Sequence, residues 1–206
     1  DTSGHPDFIC DTLSTMQAAE MALFVVDAVA GPQVMTTKLW REAEGMRLSR
    51  DVFINHIDRE HADFDMAMAT LHARFGSRLG PVTIPIGQDA DFKGVIDIIR
   101  MEARYFGEGD DSERIEPIPA EFADAAQAAR DKLCDLVAEA DDELMMKYLE
   151  GEEQLTQDEL ESLLDKAIAQ ELFIPVFVGS TIIKQGIQGL MEDICTYFPH
   201  PASHGR

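Results

Sequence analysis

Three short, almost uninterrupted apolar runs constrain this chain more than any other feature: residues 21–29 (MALFVVDAV), 51–54 (DVFI) and 173–178 (FIPVFV). A strand with one wet face alternates apolar and polar side chains, whereas a strand apolar throughout must be covered on both faces, as in a central parallel strand. Parallel neighbours cannot be joined by a tight hairpin and need a crossover, usually a helix. The segments between and after the runs supply helical spacing: residues 36–45 carry Leu39, Trp40 and Ala43, residues 63–75 carry Phe64, Met68, Leu71 and Phe75, and residues 188–198 carry Leu190, Met191, Ile194 and Phe198. The alternation predicts an α/β fold with a parallel sheet flanked by helices.

The middle of the chain breaks this rhythm. Residues 81–86, 95–99 and 101–105 are short, β-branched or aromatic, and separated by a few residues only, which predicts an antiparallel meander. After Pro117 and Pro119, one long amphipathic helix is expected, with Phe122, Ala126, Ala129, Leu133, Leu136, Val137, Ala140 and Leu144 on its apolar side. Thr156 and Glu159 have the spacing of a capping box that opens a second helix. Charge marks the same module: residues 107–165 hold 20 Asp+Glu and 4 Lys+Arg, so they carry −16 of the −22 that 17 Lys+Arg and 39 Asp+Glu give the 206-residue chain. The expected organisation is a core from residues 1–80 and 172–206, interrupted by an acidic α+β subdomain over residues 81–171.

That acidity excludes non-specific binding to free DNA, which needs clustered cations. Cys10, Cys134 and Cys195 are odd in number and far apart, which suits free thiols in a reducing compartment. With no apolar run approaching the roughly 18 residues of a membrane helix, a cytoplasmic protein without membrane association is expected. His61, His72 and His200 have no ligand-like spacing and receive no role.

Three motifs bear on chemistry. Asp1, Thr2, Ser3, Gly4 and His5 form a D-x-x-G followed by His. In a nucleotide switch such an Asp reaches the metal, the Gly offers an N–H to a terminal phosphate, and His5 can orient an attacking water. Taken alone, the segment is equally a surface turn. Asn55, His56, Ile57 and Asp58 follow the second apolar run, at the carboxyl edge where α/β sheets bind ligands. The Asp58 carboxylate can accept both N1–H and the 2-amino proton of guanine, a pairing adenine cannot offer. Read in isolation, the four residues only cap the next helix. Gly179, Ser180 and Thr181 follow the third run, where a turn can hold a purine carbonyl while the Ser orders it. Order and spacing tie the three together, each at the end of an expected strand.

Through these residues the chain resembles the GTP-binding domain of translational GTPases, and most closely elongation factor G. The resemblance runs from Asp1 to about Pro201 and includes DTSGHPDF, DAVAGPQ, INHIDREHADF, IPIG with DFKGVIDII, DDELMMKYLEGEEQLT, VGSTIIKQGIQ and YFPHP. It implies a partial P-loop NTPase-type parallel sheet with an inserted α+β subdomain. It also implies, in the intact protein, GTP hydrolysis on the ribosome that drives translocation, with GTP or GDP and Mg²⁺ as ligands. By the same resemblance Asp1 serves the Mg²⁺ shell, Gly4 the γ-phosphate and His5 catalysis. Asn55, His56 and Asp58 meet the base, with Gly179, Ser180 and Thr181 as the base-contacting turn.

The family reads DTPGH where this chain has Ser3, NKxD where it has His56, and GSA where it has Thr181. No GxxxxGK[ST] occurs in the 206 residues. In the family that loop precedes the position of Asp1, so the chain is expected to lack the phosphate cradle and to be inactive alone. In the inserted subdomain, Asp135, Glu139 and Asp142 match acidic positions through which the family meets the flexible ribosomal stalk protein; otherwise they form a solvated helix face. Two further readings stay open: a non-hydrolysing ribosome- or stalk-docking module, and a ribosome-protection or release-type relative.

Overall fold

A computed structural model of the chain describes residues 1–106, 113–150 and 155–198. After a single 3-10 turn (Pro6–Phe8) come α1 (Ile9–Met16), β1 (Met21–Asp27), α2 (Val34–Met46), β2 (Ser49–Asn55), α3 (Phe64–Phe75) and β3 (Leu79–Pro81). Four strands follow: β4 (Thr83–Ile86), β5 (Gly94–Asp97), β6 (Glu102–Phe106) and β7 (Glu113–Glu116). The chain then forms α4 (Ala123–Ala138), α5 (Asp142–Glu150), α6 (Gln157–Ala169), β8 (Ile174–Val178) and α7 (Ile187–Tyr197). The Pro199, His200 and Pro201 end of YFPHP, and the GEEQ of DDELMMKYLEGEEQLT, lie outside the described residues.

Two sheets result. One is parallel in the order β1-β2-β8-β3, and the other is antiparallel in the order β4-β5-β6-β7. The fold is thus the expected α/β sheet flanked by helices, with an antiparallel sheet in the interrupting segment. Val82 is the crossing point: its N–H donates to Val176 of β8 and its carbonyl accepts from Ile98 beside the second sheet.

Burial explains the apolar runs. On one face of the parallel sheet, Val52, Ile54, Val176 and Val178 pack beneath α2 and α3. Trp40 fastens that layer: it stacks on Phe75 of α3 at 4.1 Å, lies 4.9 Å from Phe24 of β1, and has the Arg50 guanidinium 5.1 Å from its ring. Phe53 and Phe177, on the opposite face, enter a second core shared with Ile96, Leu133, Leu164 and Leu190, so both sheets close over the same apolar interior. Where α4 crosses β3, Gly80 allows close packing, because a Cβ there would stand 2.6 Å from the Phe173 ring and 2.9 Å from the Leu136 side chain, so both would have to shift.

The structure departs from the sequence expectation at three places. The long helix is broken: α4 stops at Ala138, and Asp141 opens α5 by accepting from the N–H groups of Glu143 and Leu144 while pairing with Lys166 of α6. Capping by a side chain outweighs the continuous apolar spacing that suggested one helix. Pro81 ends a strand of the parallel sheet rather than starting the meander. The meander also has a fourth strand, β7, whose ERIE sequence is mostly exposed and so carries little apolar signal. The capping box of Thr156 and Glu159 forms as expected. Among the described residues, no helix is long and apolar enough to cross a membrane.

One largely buried charge cluster and one isolated buried carboxylate lie in these layers. Arg104 of β6, 3% exposed, meets Glu192 of α7 at 2.7 Å, Glu102 at 2.8 Å, Glu113 at 3.1 Å and Asp97 at 3.5 Å, while Arg100 pairs with Asp97 and Asp193 at 2.7 and 2.8 Å. Asp51 in β2 has no such company: it is fully buried, and neither carboxylate oxygen has a hydrogen-bond partner among the described residues. Burial pushes its carboxyl well above the ordinary carboxylate range. A proton held more tightly by the folded chain stabilises it below the unfolded pKa of about 3.9, and that contribution is lost as pH rises toward the folded value. Asp51→Val is therefore expected to stabilise the chain by about 1–3 kcal/mol at pH 8 and by less at pH 4, read as the urea midpoint. A variant no more stable than the parent at pH 8 would contradict this.

Candidate functional site

The parallel pairing of β2 with β8 brings two loops to one sheet edge. Gly179 follows β8, and its N–H donates to Ile54 of β2, while its carbonyl accepts from the N–H of Ile57. Asn55, the last residue of β2, ties the loops by its side chain. Its Oδ1 accepts from the N–H groups of His56 (2.8 Å) and Thr181 (3.0 Å), and its Nδ2 lies 3.1 Å from the Thr181 hydroxyl. Ser180 is fully buried; its Oγ accepts from the N–H of Ile182, and its N–H donates to the carbonyl of Gln185. Gly179 has no room for a side chain, because a Cβ would stand 2.3 Å from that same carbonyl. The turn is thus braced internally and against Asn55.

Asp58 stands apart from this network. Its Oδ1 is buried and has no hydrogen-bond partner among the described residues. A buried acceptor left open costs free energy unless a ligand supplies the donor. Next to it, His56 adopts a left-handed backbone, φ 64°, which is uncommon for a non-glycine residue. Its Nδ1–H donates to Asp27 Oδ2 at 3.0 Å, and Arg59 Nη1 donates to the same oxygen at 2.7 Å. Asp27 Oδ1 accepts from the N–H groups of Val29 and Ala30. Burial opposes the charge on Asp27, but the Ala30 N–H, His56, the Val29 N–H and Arg59 outweigh it and hold its carboxyl down to about 2. Asp27 and Arg59 are supports of the site that the motif reading missed. In the sequence both fall only inside longer stretches, Asp27 in the 21–29 run and in DAVAGPQ, Arg59 in INHIDREHADF, with no role for either.

Asp1, Gly4 and His5 are not brought to this edge. Asp1 to Gly4 are exposed and border a cleft of about 670 Å³ against α1, α2 and β1, whose outer edge carries no paired strand among the described residues. His5 caps the 3-10 turn, its Nδ1 accepting from the N–H of Asp7 at 3.4 Å. The edge formed by residues 55–58 and 179–181 has a carboxylate with one oxygen unpartnered among the described residues and a braced turn, chemistry that suits a ligand edge rich in donors. Of the metal ligands the chain offers only Asp1, and no group of three or more candidate ligands occurs among the described residues. Asp135, Glu139 and Asp142 are all exposed, but they span the end of α4, the joint and the start of α5 rather than one helix face. Asp135 also accepts from the Tyr148 hydroxyl at 2.7 Å, and that bond, with burial, pushes the Tyr148 phenol up to about 12.

Removing Asp27 unfastens His56, Arg59 and the 29–30 turn together. Asp27→Ala is expected to cost about 1–3 kcal/mol at pH 7. Because its pKa is depressed in the folded chain, the contribution is present above the unfolded pKa of about 3.9 and fades as pH falls toward 2. Urea unfolding at pH 7 and pH 3 should therefore show a larger gap between parent and variant at pH 7. An unchanged midpoint at pH 7 would show that Asp27 does not brace the site.

Comparison with known proteins bears on the same residues. A family described as the elongation factor Tu GTP binding domain matches residues 1–200. A crystal structure of a protein from Thermus thermophilus is 30% identical in sequence and superposes with a TM-score of 0.87, covering 97% of this chain and 29% of that one. The chain thus spans less than a third of the length of that relative. Matching nearly end to end in sequence and in fold, the chain belongs to the elongation factor Tu GTP-binding domain family, the G domain of translational GTPases.

Proposed function

We propose that this chain is the guanine-recognising portion of the GTP-binding domain of an elongation factor G-like translation factor, which in its intact form hydrolyses GTP on the ribosome, in the cytoplasm, to drive translocation. The observation that supports this reading is that Asp58, half-buried and with its Oδ1 lacking a hydrogen-bond partner among the described residues, follows Asn55 by three residues on the loop that the Asn55–Thr181 brace fixes. Guanine presents N1–H and a 2-amino group on one edge, two donors that a single carboxylate accepts; adenine has an acceptor at N1 and nothing at C2. His56, held by Asp27, replaces the Lys whose stem would cover the base, and its ring offers an aromatic face for stacking instead.

The rest of the nucleotide is held by parts this stretch does not contain. The sequence has no GxxxxGK[ST] loop, and the outer edge of β1, with Val25 58% exposed, suits the addition of one more parallel strand carrying it. With that strand in place, Asp1 would face the metal, Gly4 the γ-phosphate, and His5 would turn from its cap to orient water. Mg²⁺, when bound, neutralises charge that develops on the phosphates. In the separate 206 residues, nucleotide binding is weak and hydrolysis absent, because phosphate contacts supply much of the affinity.

Nuclear magnetic resonance titration of the 206-residue chain with millimolar GDP should shift the amides of Asn55, Asp58 and Thr181, and ADP should not. Asp58→Asn exchanges an acceptor for a donor, so preference should move from GDP toward xanthosine diphosphate, which carries a carbonyl at C2, by about tenfold or more. Equal response to GDP and ADP would sink the reading. Docking to a lysine-bearing stalk domain is the second part of the proposal, supported by the exposed Asp135, Glu139 and Asp142. Reversing all three to Lys should abolish salt-sensitive binding to that domain, and unchanged affinity would leave those carboxylates as a solvated surface.

A further inference from the structure

The turn after β8 has two anchors, and only one belongs to the sheet that carries it. Thr181 is held by Asn55. At the other end, the Gln185 side chain leaves the turn and pairs with the backbone of Phe106, the last residue of β6. Phe106 N–H donates to Gln185 Oε1 at 2.8 Å, and Gln185 Nε2 donates to the Phe106 carbonyl at 3.0 Å. A side-chain amide thereby takes the place of a neighbouring strand, satisfying a donor and an acceptor at the end of the second sheet. Gln185 is buried, and its own carbonyl accepts from Ser180 N–H, so the same residue closes the turn and clasps the sheet. Gly186 follows in a left-handed conformation, φ 78°, where a Cβ would stand 2.5 Å from the Val178 carbonyl. Between the anchors, Ile182 and Ile183 are exposed at 68% and 41%, so little packing fixes the shape of the turn there.

The far side of the clasp is tied by an ion pair. Two residues before Phe106, Arg104 reaches Glu192 at 2.7 Å on α7, the helix that begins just after Gln185. Turn, helix and strand therefore form a closed loop of contacts, joined at Gln185 and at Arg104.

We infer that Gln185 is a positioning residue for base recognition, fixing the base-contacting turn from the second sheet without touching nucleotide. The inference rests on the guanine-site reading above. Loss of the clasp leaves the Phe106 N–H and carbonyl without their partner and frees one end of the turn, so Thr181 and its bond to Asn55 open more often.

The test uses the 206-residue chain with Gln185, with Gln185→Leu, which keeps bulk and loses both bonds, and with Gln185→Glu, which keeps the acceptor for Phe106 N–H. Amide hydrogen exchange at Thr181 is measured without nucleotide, and GDP and ADP titrations are followed by amide shifts. Exchange at Thr181 should be about tenfold faster in the Leu variant, GDP binding weaker by a similar factor, and the Glu variant intermediate in both. A purely structural role would lower the urea midpoint yet leave Thr181 exchange, scaled to global stability, and the GDP-to-ADP ratio unchanged, and that result overturns the inference. If the Leu variant does not fold, the Glu variant reads the same quantities. A parent chain that does not distinguish GDP from ADP overturns the base-site reading itself, and Gln185 with it. That failure differs from one in which parent and variants select GDP equally.

Discussion

Parallel pairing of β2 with β8 is the constraint on which the rest depends. Val52, Phe53 and Ile54 face Val176, Phe177 and Val178 in register, and all six are buried. Since both strands run the same way, residues 55–58 and 179–181 emerge at one edge, and a single side chain, Asn55, can hold both loops. An antiparallel arrangement would have sent them to opposite ends of the sheet. The apolar composition of the strands and the polar chemistry of their ends are thus one fact: strands buried on both faces expose only their termini, which is where open α/β sheets bind ligands.

The second sheet is built into this arrangement rather than appended to it. Its apolar face shares a core with Phe53 and Phe177, and its β6 is bound to α7 through Arg104. Around Arg100 and Arg104 gather Asp97, Glu102, Glu113, Glu192 and Asp193, so carboxylates outnumber guanidinium groups. Burial, then the neighbouring Asp97, pushes the Asp193 carboxyl up to about 6 despite Arg100. Such a cluster adds little net stability, yet removing either Arg would strand buried carboxylates, so it fixes geometry more than it strengthens the fold. In a chain of net charge −22, it spends scarce cations on holding one sheet against one helix.

Much of this was legible in the sequence because the relevant signals are local. Apolar runs marked β1, β2 and β8, helical spacing marked α2, α3 and α7, and Thr156 with Glu159 marked the start of α6. The signals failed where the deciding partner is distant or polar. The break between α4 and α5 depends on Asp141 finding Lys166 on another helix, and β7 hides because a mostly exposed strand needs no apolar face. At the site, Asn55, Asp58 and the 179–181 turn were readable from strand-end motifs. Asp27 and Gln185 were not, since each acts through residues 29 and 79 positions away. Nothing in the periodicity announced Asp51, a carboxylate inside an apolar strand; its isolation appears only when the surrounding side chains are in place.

The measurement that tests guanine recognition by Asp58 most directly is a crystal structure of the chain grown with millimolar GDP. The expected result is a guanine ring against His56, with N1 and the 2-amino nitrogen within hydrogen-bond distance of the Asp58 carboxylate, about 2.7–3.2 Å, and the Asn55–Thr181 brace intact. A base bound elsewhere, or Asp58 satisfied by a protein group while the nucleotide is bound, would contradict it.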